Sequence, residues 1–500
     1  MPSLFRVTLR TASSSSMASL SEAVEHGEDS SGQIFTSQTL RGGVYLMSRY
    51  GLGVLVSLGN MLVMTRWIGP HSYGLFVTTI GLVAFLSNLA RAGVDVYLVR
   101  REAAPDEDMY HIAGTLIFSI SVALTLIGGG LAPLLIRWYG NSEFLPPYLV
   151  LLLTIPVIGF IGVPMAKLER ELNFRSVASI ELGGQFLGLL LAVILAACGS
   201  GVWAPVAGQI ASQTATLIAA CACSRFIPRF RFNASQAREM LTFGIGLVTS
   251  LRMWQLRTLV NPLLVGRFAG AEGVAFVALG IRIAEALGAI RLAAGRLALA
   301  ALSRLQNKPA AFRTALQRTV DLQVIMLGPL LCGFALLGPV VLRSVIGTRW
   351  MPSLLVYPFV AAGVLINSVF NLQASALVVV GRQWVVLCSY SMHVALLGGG
   401  TLLLVPRFGI VGYGWSELLA CAAYVLIHTN TNRIAVLSYR KLFPWMLIFL
   451  SLLFAPSLGH GRPMWLWLLL PVSTVGWRLK QSVSFAQIRQ TWRSALRETA

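Results

Sequence analysis

Continuous apolar runs of 16 to 25 residues follow one another along the chain, divided by short polar turns. A bilayer core takes about 20 mainly apolar residues per helix, so these runs match membrane spans in length. Polar and apolar positions do not alternate within them, which favours helices over a membrane barrel. Fourteen spans are predicted. The first six lie near 43–64, 73–90, 112–136, 146–166, 177–198 and 202–223. Six more lie near 240–264, 273–294, 320–342, 353–373, 384–405 and 410–430, and a short final pair near 442–458 and 463–478.

One polar turn recurs. Arg66-Trp-Ile-Gly-Pro-His-Ser-Tyr-Gly-Leu-Phe76 divides the first two spans, and Arg267-Phe-Ala-Gly-Ala-Glu-Gly-Val-Ala-Phe276 divides the seventh and eighth. Arg66 and Gly69 fall on Arg267 and Gly270 at an offset of 201, and one deletion brings Phe76 onto Phe276 at an offset of 200. At that same offset of 200, Arg91 falls on Arg291. Further on, Gly201-Val202 falls on Gly409-Ile410 at an offset of 208. A repeated turn with repeated flanks predicts a duplicated helical unit. The expected layout is an all-α polytopic membrane protein of about 14 transmembrane helices. Residues 41–232 and 233–436 would form two six-helix bundles, and 437–480 two extra transmembrane helices. Six is an even number, so the two bundles keep the same orientation and form a parallel repeat. Residues 1–40 are polar and Ser-rich and read as a disordered cytosolic tail; 481–500 read as a basic cytosolic tail.

Composition agrees with the pattern: 56% hydrophobic, 12% charged and a mean hydropathy of +0.73 exclude a soluble domain. The formal charge of +20 raises nucleic acid as a partner, but its distribution gives another cause. With the N-terminus inside, 28 of the 39 Lys and Arg fall on cytoplasmic segments, Arg291 and Arg478 at span ends counted with them, 7 on the opposite loops and four deeper within spans. Such a bias sets topology, with both termini cytoplasmic, and leaves no charge excess that calls for nucleic acid. The six cysteines, Cys198, Cys221, Cys223, Cys332, Cys388 and Cys421, sit in apolar segments without ligand or disulfide-framework spacing, and read as small packing residues.

Residues 42–101 carry Arg66, Ile68-Gly69-Pro70, Tyr73-Gly74-Leu75-Phe76, Ala92-Gly93 and Val99-Arg100-Arg101. With these motifs the stretch resembles the opening of the polysaccharide flippase family, and by architecture the resemblance covers roughly 40–435. These motifs point to the family and not to the cargo. That family is part of a superfamily that includes the multidrug and toxin extruders and the lipid II flippases. The resemblance implies a flippase of the bacterial inner membrane that moves an undecaprenyl-diphosphate-linked oligosaccharide for polysaccharide export, with no cofactor. A polysaccharide polymerase and export machinery would be further partners.

The residues themselves offer a candidate site. Arginines inside spans cost about 2.5–3.5 kcal/mol each at a helix centre on insertion scales, so they usually face a cavity. Those here are Arg49, Arg252, Arg257 and Arg282. Arg49 and Arg252 stand within two positions of each other in the repeat register, where a facing pair of guanidinium groups would suit a diphosphate. The alternative is that they snorkel or bond to carbonyls. Arg257 is a third candidate, and Arg91 and Arg291 are expected at matching cytoplasmic ends, as head-group contacts or as plain topology determinants. Arg282 is expected to pair with Glu285 one turn along. Glu181, Glu285 and Glu417 are candidate coupling carboxylates, with Asp95 near a helix end. Asn60, Asn88, Gln185, Gln209, Asn367 and Asn371 are polar positions suited to sugar hydroxyls or to interhelical bonds. His393 is isolated and reads as a packed histidine. No phosphate loop or metal helix is present, which argues against an enzyme. The alternative functions are a cation-coupled multidrug extruder and a membrane polysaccharide polymerase.

Overall fold

The computed structural model describes residues 59, 61–103, 105–289, 291, 302, 304–305 and 308–458, and for 245–252, 457 and 458 the backbone alone. Arg49, Asn60, both tails and the fourteenth expected span lie outside the described residues, as does the side chain of Arg252.

Every regular element among the described residues is helical. Helix α1 covers Met61–Ala90. It is followed by α2 (Val94–Arg100), α3 (Glu107–Gly130), α4 (Ala132–Tyr139), α5 (Leu145–Leu152), α6 (Ile155–Arg170), α7 (Phe174–Ala197) and α8 (Trp203–Ser224). The second half begins with α9 (Ala234–Gln255), α10 (Arg257–Val260) and α11 (Gly266–Leu287). It continues through α12 (Pro309–Val341), α13 (Ser353–Val379), α14 (Gln383–Phe408), α15 (Ile410–Ala420), α16 (Tyr424–Asn432) and α17 (Leu442–Leu458). Among the described residues, ten helical stretches are long and apolar enough to cross a membrane. Backbone groups in hydrocarbon must be satisfied within the segment, which is why the apolar runs all become helices. Some starts are fixed by side chains: Asp106 accepts from the Met109 N–H at 2.9 Å and Asn173 from the Ser176 N–H at 3.2 Å.

Two of the departures from the expected spans have a clear physical cause. The seventh, expected at 240–264, starts at Ala234, breaks at Leu256 and passes through a π turn at Asn261–Val265. Pro262 has no N–H to give and crowds the carbonyl one turn back, which favours a π turn here over a regular α-helix. The ninth, expected at 320–342, starts at Pro309, because Phe312, Leu316 and Val320 continue its buried face beyond the apolar run.

The two repeated turns share a glycine of positive φ at the matching position. Gly69 (φ +74°) and Gly270 (φ +68°) both sit in the left-handed region, where a side chain would be strained. They also meet: a Cβ on Gly74 would stand 1.8 Å from the carbonyl oxygen of Ala271. Trp350 packs edge-on against Tyr73 and Phe276, one residue from each turn, and donates its indole N–H to the Thr65 carbonyl at 2.9 Å. Arg66 donates to the carbonyl of Val345 at 2.7 Å, Trp138 to that of Leu263 at 2.9 Å and Tyr139 to that of Pro262 at 3.0 Å. His71 donates to Glu143 at 2.9 Å, which holds that carboxyl below its usual range, with a further bond from Asn141. The alternate loops gather elsewhere. Arg170 caps α2 through the carbonyls of Leu98 and Arg101, Lys167 pairs with Glu107, and Arg231 pairs with Asp108. Loops alternate between two ends of the helices, as the charge partition requires.

Packing inside is close. Gly188 and Gly208 bring α7 and α8 together so tightly that a Cβ on either would stand 2.6 Å from the other's carbonyl oxygen. The central helix of the second half is α13, with 72% of its apolar window buried. The cysteine expectation holds for buried Cys332 and fails for Cys198, Cys223 and Cys388, which are exposed.

Candidate functional site

The break after α9 matters for chemistry. It leaves Arg257 at the first position of α10, turned towards α15, where its Nη2 donates to Glu417 Oε1 at 2.6 Å. The side chains are 15% and 4% exposed, so this ion pair is almost wholly removed from solvent. Trp254 lies beside the guanidinium, 5.4 Å from ring centroid to charge. Gly363 of α13 leaves the room: a Cβ there would stand 3.0 Å from the Glu417 side chain.

A second cation joins from the end of α11. Arg291 folds back over the helix end, its Nε donating to the Gly288 carbonyl at 3.3 Å and its Nη1 to Asn367 Oδ1 at 2.8 Å. The Asn367 amide in turn donates to the Tyr424 hydroxyl at 2.8 Å. Tyr424 stacks on His393, and His393 lies tilted against Trp254, which lines polar and aromatic groups up beside the Arg257–Glu417 pair. The Glu285 carboxylate acts electrostatically on both arginines. Glu417 Oε2, Arg257 Nε and His393 Nε2 are buried without a hydrogen-bond partner, so the network retains capacity for a further polar group. Two guanidinium groups opposite two carboxylates leave the cluster near neutrality, so an incoming anion must displace a carboxylate or meet it neutralised.

The structure thus brings together Arg257, Arg291, Glu285 and Glu417, which stand apart in the sequence. Arg91 and Glu181 lie elsewhere. They line a cavity of about 400 Å³ between α2, α6, α7 and α8, with Asp95, Arg100, Gln185 and Gln213 on its walls. The expected ion pair between Arg282 and Glu285 is absent from the described residues: Arg282 acts on Tyr73 instead, and Glu285 on Arg257 and Arg291. One turn of spacing permits such a pair, but both side chains are exposed, where an ion pair gains little. His393 is packed as expected, 1% exposed with its Nδ1 bonded to the Ala420 carbonyl. Trp254 and Tyr424 were not singled out in the sequence, because aromatic residues are frequent in membrane helices and carry no spacing signal.

These features define a multi-pass, all-helical membrane protein with a charged network in its interior, and its fold is that of known transporters. It is similar to lipid II flippase MurJ in an inward closed conformation, with a TM-score of 0.69 and 11% identity over 88% of this chain and 99% of that one. It is also similar to an inward-facing multidrug resistance transporter of the MATE family, with a TM-score of 0.62 and 16% identity over 76% and 94% of the two chains. The chain belongs to the polysaccharide biosynthesis protein family, which matches residues 63–355. Among its relatives, the succinoglycan biosynthesis transport protein ExoT of Rhizobium meliloti is 24% identical over 292 residues, 58% of each chain. The lipopolysaccharide biosynthesis protein WzxC of Escherichia coli is 22% identical over 368 residues, covering 70% of this chain and 73% of the relative. The match therefore spans under two thirds of the succinoglycan protein.

Proposed function

We propose that the protein is a flippase that carries an undecaprenyl-diphosphate-linked oligosaccharide across the bacterial inner membrane by alternating access. The observation that carries this reading is the buried Arg257–Glu417 pair with Arg291 beside it. A carboxylate accepting a short bond from a guanidinium occupies the position a phosphate oxygen would take. Glu417 then serves as a resident counter-ion, exchanged for the substrate diphosphate when the head group arrives. Arg49 and Arg252 complete the clamp in this reading, and Arg91 receives the head group near the entrance. Glu181, and Glu417 once released, remain the groups through which a proton or cation could be coupled.

The architecture belongs to the same proposal. Two six-helix bundles, 41–232 and 233–436, stand as a parallel repeat, with two further helices in 437–480 and both termini in the cytoplasm. The matching left-handed glycines of the two turns support the duplication. The contacts that join the turns support a molecule closed at that end, which is the outer end by the charge partition. A cation-coupled extruder is less well served, because the buried carboxylate it would use for cargo is already paired with arginine.

The test is the lipid-linked sugar pool in a deletion strain complemented with Arg257→Ala, Arg291→Ala, Arg252→Ala or Arg49→Ala. Polymer export falls at least about 10-fold in each while the protein stays in the membrane, the loss of a charged hydrogen bond being about 1.5–3 kcal/mol. Lipid-linked units accumulate on the cytoplasmic side. Undiminished polymer in all four variants would sink the clamp, and translocated but unpolymerised units would point to a polymerase instead.

A further inference from the structure

A second cavity, of about 460 Å³, lies where the start of α12 meets the segment that leads into α17. Arg313 and Arg318 reach it from α12 and Lys441 from the segment, with Gln317, Asp321 and Ser438 between them. The neutral and acidic walls are occupied with each other. Gln317 accepts from the Ser438 N–H at 2.8 Å and donates to Asp321 at 2.8 Å. The three cations are exposed and have neither an ion-pair partner nor a hydrogen-bond partner among the described residues.

Topology alone needs basic residues only near the membrane surface, in no set arrangement. Here three converge on one concavity with a single carboxylate against them, which leaves a net excess of two positive charges. The cavity also continues into an apolar surface. Arg318, Leu322 and Met326 follow at four-residue spacing down one side of α12, with Leu322 49% and Met326 42% exposed. On the adjoining α17, Phe443 and Leu447 are 66% and 56% exposed. A ligand that fits has an anionic head at the cavity and hydrocarbon below it.

We propose that this cavity holds the phosphodiester head group of an anionic glycerophospholipid, with its acyl chains against Leu322, Met326, Phe443 and Leu447. Arginine meets phosphate oxygens through two parallel N–H bonds, and Lys441 adds a point charge from the second element. The bound lipid bridges α12 to the segment that enters α17. The cavity shares no lining residue with the Arg257 network.

The test uses the full chain in nanodiscs of phosphatidylcholine containing graded phosphatidylglycerol, with bound lipid counted by native mass spectrometry. One phosphatidylglycerol is retained per chain. The combined variant Arg313→Gln, Arg318→Gln, Lys441→Gln lowers that retention about 100-fold, near-surface cations contributing roughly equally. A control with Arg225→Gln, Arg229→Gln and Arg238→Gln removes as much charge from another loop and keeps the lipid. Thermal melting in phosphatidylcholine alone checks that both variants fold. Equal retention by the wild type and the combined variant overturns the proposal, as does equal loss in the control. Displacement by millimolar inorganic phosphate also overturns it, since the ligand would then be a soluble anion.

Discussion

Arg257 and Glu417 lie 160 positions apart, yet each is the other's main answer to burial. Removing one leaves the other charged in a low-dielectric interior, at a cost of about 3–5 kcal/mol, whereas removing both can be nearly neutral. Arg257→Met alone therefore lowers thermal stability in detergent strongly, and Arg257→Met with Glu417→Leu restores most of it. A double variant no more stable than the single would show that the pair does not act as a unit. Both residues were visible in the sequence as ionisable groups within apolar runs. Their pairing was not, because no local spacing encodes a contact made through the break at Leu256. Arg291 was visible as a repeat partner of Arg91, but its bond to Asn367 depends on the fold-back at Gly288.

Helix positions were legible because the bilayer imposes one length and one backbone solution on every span. Helix ends were less so. The early start of α12 follows an amphipathic stretch whose buried face is set by neighbours, and the short α4 is an apolar hairpin arm that continues the run of α3 without a polar gap. The repeated turns illustrate both sides. Gly69 and Gly270 match by register and both take a positive φ, while the contact between the turns could not be read from either alone. Gly74 is the sensitive point, since a methyl there would overlap the Ala271 backbone, which cannot rotate away. Gly74→Ala is expected to force the turns apart and to lower transport more than Gly59→Ala, whose added Cβ meets nothing. Equal export by the two variants would remove the turn contact from the mechanism.

For the molecule as a whole, the charge partition and the loop contacts reach the same division by independent routes. One counts Lys and Arg; the other records which loops touch. Arg66, Trp138, Leu263, Val345 and Trp350 gather at one end, and Arg101, Asp108, Arg170 and Arg231 at the other. The sequence held this much because topology is written in loop charge. It did not hold the cavity at Arg91, whose walls come from four helices, nor the seal at the turn end.

Trp350 turns that seal into an optical signal. Its indole is 1% exposed and sits between an aromatic residue of each repeated turn. If the turn end parts during transport, the ring exchanges these neighbours for water, and its emission moves to longer wavelength and loses polarisation. The difference between wild-type and Trp350→Phe spectra isolates this residue from the other eleven tryptophans among the 12. A shift on adding lipid-linked substrate would time the opening in a single cuvette without any attached label, and an unchanged difference spectrum during active transport would mean that this end stays shut.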